Sequence, residues 1–347
     1  MKHSAALLTI LLCSAALCAA PAAKVAPAPA DDLRTAKALL EQAETDKDAA
    51  KVIPLLRKII SRNGDPEAIL LLLNLAKEGV LTMPEKEMLA LLEQAAAQKN
   101  GAALLNLGLF WDQKDPVKAA EYYRLALEAG QPQAGIRFGL CCHHGRGVPK
   151  DPDRAGDAFK ADALRGIPKA QNLYGVMLVR KMDFVNGEQW IARAAKAGDL
   201  PAINNMGVFS RNGNTPESMA QSVVLFRKAA EGGYAPAIRN LAQAYWDGLG
   251  VKEDRQKAQT LAEQAAKAGD RTAYYLLGMM KLTDRKHAEA FPLYLKAAEM
   301  GYAPACLQVA IMYRQGIGME KPDPVKADQW LKRQEELSGS AEEVPAK

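Results

Sequence analysis

Small and apolar residues recur at every fourth position along much of this chain, and the segments they mark repeat. Ala237, Leu241 and Tyr245 are one instance, a spacing that stacks three side chains on a single helical face. The pentapeptide GYAPA stands at 233–237 and again at 301–305, and related text begins at Gly64, Lys99, Gly130, Gly166, Gly198 and Gly269. Aligning the eight copies gives an unbroken alanine column: Ala68, Ala103, Ala134, Ala170, Ala202, Ala237, Ala273 and Ala305. Five positions on, a second small column holds Gly108, Gly139, Gly175, Gly207, Ala242, Gly278 and Ala310, with Leu73 the exception. A small residue there lets another helix come close, where a bulky one would hold the backbones apart.

Each copy is followed by a second helical segment that closes on paired alanines and a glycine, as at Ala229, Ala230 and Gly233, or Ala265, Ala266 and Gly269. Glycine after the last turn ends a helix at little cost. GRGV, GLGV and GIGM turn the chain between the two helices of a unit. Asp115-Pro116, Asp151-Pro152 and Asp323-Pro324 then start the second helix with a cap and a first-turn proline. One helix pair cannot bury its apolar face alone, but stacked pairs can. The predicted fold is therefore all-α, a right-handed α-α superhelix (α-solenoid) of about eight helix-turn-helix repeats over 64–337. Residues 32–63 read as a capping helix pair and 338–347 as a disordered tail.

The N-terminus carries a different pattern. Lys2 precedes an apolar run from Ala5 to Leu17, and small residues follow at Cys18, Ala19, Ala20 and Ala22. That order reads as a secretory signal peptide over 1–22, with a flexible Ala/Pro linker over 23–31. The run falls short of the roughly 20 apolar residues of a spanning helix. The expected location is the bacterial periplasm or the extracellular space, with no membrane insertion after cleavage. Cys141, Cys142 and Cys306 would remain, an odd number that forms no complete disulfide framework. Hydrophobic residues make up 49% and charged residues 24%, at a net charge of +5, with the two signs interleaved. No basic stripe carries aromatic residues between its charges, which argues against nucleic acid as a partner.

The residues A-x-x-N-L-G/A-x-x-Y, then G-x-G-V, D-x-x-K-A and a closing A-A-x-x-G resemble the Sel-like repeat family, a cousin of the tetratricopeptide repeats. The fullest match runs through Ala237, Asn240, Leu241, Ala242, Tyr245, Gly248, Gly250, Val251, Asp254, Lys257, Ala258, Ala265, Ala266 and Gly269. The copies from Lys99, Gly166 and Gly269 lack the G-x-G turn. The resemblance implies a non-enzymatic scaffold or adaptor that holds other proteins in a secretory or envelope pathway. The alternative is an envelope protein that binds or modifies cell-wall glycan or β-lactam-like ligands.

Candidate chemistry is sparse. Cys141, Cys142, His143 and His144 are ligand types for zinc, but no second ligand pair completes a set, and Cys142 falls in the core column of Tyr245 and Tyr313. No nucleophile or phosphate-loop motif is present, so no catalytic residue, metal or cofactor is expected. A protein or peptide is the expected partner, held along the concave face of the first helices. Asn172, Asn204, Arg239 and Tyr275 stand three residues before the small column, and His143, Arg211, Trp246 and Arg314 four after it. Exposed arginine and tryptophan are residue types that dominate interface energetics.

Overall fold

The computed structural model describes residues 30–342. The predicted signal peptide, nearly all of the predicted linker, and the last five residues of the predicted tail lie outside the described residues. All regular elements among the described residues are helices. They divide into two compact units that meet in sequence between Met177 and Leu178.

In the first unit, α1 (Ala30–Glu41), the short α2 (Asp46–Ala50) and α3 (Ile53–Asn63) precede the repeats. Ala36, Leu40, Val52, Leu56 and Ile59 from these helices bury against Leu72 and Leu75 of α4 (Pro66–Lys77). These residues thus share one core with the first helix of the repeats. The pairs α4 and α5 (Glu85–Ala97), α6 (Gly101–Trp111) and α7 (Pro116–Glu128), and α8 (Ala134–His144) and α9 (Pro152–Leu164) follow, then α10 (Pro168–Arg180). The second unit holds α11 (Phe184–Lys196), then α12 (Leu200–Asn212) with α13 (Pro216–Glu231), and α14 (Ala235–Asp247) with α15 (Arg255–Lys267). It ends with α16 (Arg271–Thr283) and α17 (His287–Glu299), then α18 (Ala303–Gln315) and α19 (Pro324–Glu342). Helix α19 runs on into the segment that the sequence assigns to the tail.

The caps fall where the sequence puts them. Asp115 accepts hydrogen bonds from the N–H groups of Val117 and Lys118, and Asp151 from those of Asp153 and Arg154. Asp254 accepts one from the Lys257 N–H at 2.9 Å. Each satisfies backbone donors that the first helical turn leaves without partners.

All eight column alanines are fully buried. The second small column has a more specific role than general helix approach. A Cβ added to Gly108 would stand 2.5 Å from the Tyr123 ring, and one on Gly139 2.5 Å from the Phe159 ring. In the second unit the same holds for Gly207 against Phe226 at 2.6 Å and Gly278 against Tyr294 at 2.9 Å. The missing side chain makes room for an aromatic ring from the second helix of the same repeat. Where Ala242 carries a methyl instead, α15 offers Ala262, and both are buried in one core.

The G-x-G loop is a contact as well as a turn. A Cβ on Gly147 would lie 2.0 Å from the Pro116 carbonyl oxygen, and one on Gly250 2.2 Å from that of Met219. Both glycines also have positive φ, 75° and 71°. Each loop therefore rests on the start of the preceding repeat's second helix, at a distance that admits no side chain.

Candidate functional site

The first helices are the surface that the sequence nominates. Within the second unit, α12 touches α14 and α14 touches α16, so successive first helices stand side by side. Polar residues knit them. Asn240 Nδ2 donates to Asn204 Oδ1 at 2.8 Å, and Arg239 Nη1 donates to Asn240 Oδ1 at 2.8 Å. Arg239 Nε donates to Asp270 Oδ2 at 3.0 Å, while the other Asp270 oxygen caps α16. This chain of contacts reaches from α12 through α14 to the cap of α16. Buried amides need partners, and here they find them in one another.

That ladder and burial together correct the expectation for three nominated residues. Asn204 is buried, and its amide is spent on the neighbouring repeat. Arg239 is held between Asn240 and a largely buried carboxylate. Asn172, in the first unit, is buried too. Burial thus takes both asparagines, and the ladder takes Arg239 Nε and Nη1. Asn240, which the sequence treats only as a motif residue, is the centre of the ladder.

The remaining nominees are more open. Trp246 is half-buried beneath the Arg255 guanidinium, whose carbon lies 4.8 Å from the ring centroid. Tyr275 is half-buried and packs edge-on against Tyr294 and Tyr302, with centroids 5.2 and 5.3 Å away. Burial, and to a lesser extent Tyr302, pushes its hydroxyl pKa up. Arg211 is half-buried, with its guanidinium carbon 6.0 Å from the Phe226 centroid. Arg314 is exposed and pairs with Asp328 on α19. In the first unit, His143 is half-buried and stacks edge-on with His144 at 4.8 Å.

Two residues absent from the sequence nomination share the open face of α18 with Arg314. Leu307 and Ile311 are exposed, at 44% and 37%, and stand seven and three residues before it. That spacing places all three on one helical stripe. The signal was available in the sequence. The sequence nominates this same column through Asn172, Asn204, Arg239 and Tyr275 but passes over its apolar member, and those four are buried or half-buried where Leu307 is exposed.

The Cys141–His144 cluster takes the packing role. Cys141 and Cys142 are buried in the core around Phe138, Phe159 and Met177. Burial pushes the Cys141 thiol up to about 11, with Asp112 adding to it. Among the described residues, no three His, Cys, Asp or Glu side chains stand together in a way that could hold a metal ion. Nearby, Trp111 Nε1 and Tyr123 Oη are buried without hydrogen-bond partners, and burial raises the Tyr123 hydroxyl to about 12.

A recurrent device braces the loops. A cation from the start of the second helix lies over an aromatic ring of the first: Lys118 over Trp111, Arg154 over Phe138, Lys257 over Tyr245 and Lys326 over Tyr313. The lysine of D-x-x-K-A and the motif tyrosine thus meet across the turn.

Paired helices, buried alanine columns and inter-repeat polar ladders define an all-α helical-repeat protein. The Sel1 repeat model matches at 101–131, 135–156, 170–199, 200–234, 235–270, 272–302 and 303–333. The chain belongs to the Sel1 repeat family. The model's seven spans begin at 101. The divergent copy at Gly64, the eighth by the alanine column, forms the helix pair α4–α5 ahead of them.

Among curated proteins, the chain is similar to chitin synthase regulatory factor 3 of Schizosaccharomyces pombe, 28% identical over 255 residues. That match takes in 67% of this chain but only 27% of the regulator. Among solved structures, it resembles c5321, a protective antigen of uropathogenic Escherichia coli, with a TM-score of 0.57 and 25% identity. The match covers 81% of this chain and 63% of that one. A Sel1 repeat protein from Oxalobacter formigenes shares the fold, with a TM-score of 0.52, 24% identity and 97% of each chain covered.

Proposed function

We propose that this chain is a non-enzymatic scaffold, exported from the cell, that holds a protein or peptide partner against its first helices. The observation that carries this reading is the contrast along those helices. Polar residues of α12 and α14 are consumed by the Asn204–Asn240–Arg239–Asp270 ladder. Non-motif residues of interface type remain open: Leu307, Ile311 and Arg314 on α18, with Trp246 half-buried on α14. Apolar anchors beside an arginine suit a peptide with an apolar face and an acidic flank. The family membership and the regulatory role in the fission yeast relative's name support a protein that acts by holding others. Export rests on the N-terminal pattern, and no described helix is long and apolar enough to cross a membrane.

The test is affinity capture from the envelope fraction with the mature chain, beside a Leu307→Asp/Ile311→Asp variant whose helical content is checked by circular dichroism. A defined protein, kept by the first bait, lost by the second and then shown to bind in purified form, is the expected result. Equal capture by both baits removes the α18 face from the site. Retention of wall fragments alone moves the glycan reading ahead.

A further inference from the structure

On the second-helix side of the second unit, two cations meet at one tyrosine. Arg227 of α13 donates from Nη2 to Tyr245 Oη at 3.5 Å. Lys257 of α15 holds its ammonium 4.4 Å from the Tyr245 ring centroid. Arg227 and Lys257 are exposed, while Tyr245 is a buried residue of the α14 core face.

The two cations lack what their counterparts have. Lys118 and Lys326 occupy the same repeat position as Lys257 and pair with their own cap aspartates, Asp115 at 3.7 Å and Asp323 at 3.2 Å. Asp254 caps α15 in the same way, yet the Lys257 ammonium forms no ion pair with it. Arg124 follows the ring position of α7 as Arg227 follows that of α13, and it is bound to Glu121 and Glu128. Arg227 has no carboxylate partner among the described residues. At Tyr313, which shares the Tyr245 column, Lys326 is already paired, and Leu295 stands where Arg227 would. The double cation without a counter-charge belongs to the α13–α14–α15 junction.

We propose that Arg227, Tyr245 and Lys257 form a binding site for a phosphate monoester. Its dianion would match the two uncompensated cations in charge, where a carboxylate would leave one unmet. Its separate terminal oxygens suit an arginine fork, an ammonium and a hydroxyl that arrive from three helices. Lys257 foremost, with help from Arg227, holds the Tyr245 hydroxyl pKa below its ordinary value, which marks the positive potential an anion would enter. The site uses none of the residues of the proposed partner surface and does not depend on the scaffold reading.

The experiment is calorimetric titration of the full chain at fixed ionic strength with inorganic phosphate, glycerol phosphate and acetate, beside phosphatidylcholine vesicles doped with phosphatidic acid. Saturable one-to-one binding of both phosphates, with acetate weaker, is expected. Arg227→Gln/Lys257→Gln should weaken it by roughly tenfold or more, and Tyr245→Phe, which keeps the packing, by a smaller factor. Failure to saturate, or unchanged binding in the double variant at native helical content, overturns the proposal. Binding to the acidic vesicles alone overturns the site for a free ester.

Discussion

The α8–α9 and α14–α15 repeats share a G-x-G loop and an aspartate-capped second helix, yet fill the space between their helices in opposite ways. In α8–α9 the first helix gives way at Gly139 and the second supplies the Phe159 ring. In α14–α15 the first helix keeps a methyl at Ala242, and the second has only Ala262. The room that one helix gives up, the other takes: a ring on the second helix goes with glycine on the first, and alanine goes with alanine. Their starts differ as well. Helix α8 has Gln133 at its N-cap, with a left-handed backbone and no side-chain cap. A carboxylate from its partner takes over, as Asp162 of α9 accepts the Ile136 N–H at 2.9 Å and pairs with Arg165 at 3.0 Å.

The largest effect should come from the traded volume. Phe159→Ala is expected to destabilise the first unit by about 3–5 kcal/mol, read from urea unfolding. Gly139→Ala alone should cost about 1–3 kcal/mol by overpacking. Together they recreate the Ala242–Ala262 pairing, so the double variant should fall short of the sum by about 1 kcal/mol or more. Strict additivity would break the idea that the two positions share one space.

The loop contact comes next, as the feature the two repeats have in common. Gly250→Ala meets the Met219 carbonyl at a positive φ, and about 2–4 kcal/mol is expected from strain and collision combined. Gly147→Ala should match it in the first unit. A cost below about 1 kcal/mol at either would show that the loop moves aside without loss.

The smallest effect sharpens the difference in caps. Burial raises the Asp162 carboxyl pKa above its ordinary 3.8, against the opposing pull of the Ile136 N–H and Arg165. The folded chain thus holds this proton more tightly than the unfolded one. Its contribution is fullest below the unfolded value, then declines as pH rises through the folded value. Asp162→Asn keeps an acceptor and removes the titration. Thermal unfolding across the acid range should show a flatter pH profile for the variant, and an unchanged slope would deny Asp162 that role.

The alanine column was legible in the sequence because the repeat itself exposes it: a position that never varies among eight copies is one where nothing larger fits. The Asp-Pro starts and the glycine turns were legible for the same reason, as local backbone chemistry. Asn204 and Arg239 were misread because amide and guanidinium groups suggest solvent, while their partners lie 36 and 31 residues away on other repeats. The Phe159 ring and the Asp162 carboxylate escaped notice because each answers a gap on a different helix. Column-by-column comparison does not see such exchanges. Arg227 and Lys257 became conspicuous only once the carboxylates beside their counterparts were in place.

The seating of Gly147 against Pro116, and of Gly250 against Met219, gives the array a grammar. A G-x-G repeat carries on its loop the imprint of whatever stands before it. Exchanging repeats is therefore directional. Such a unit can follow only a neighbour whose second helix begins at the right height, and a deletion is read first by the loop downstream of the cut.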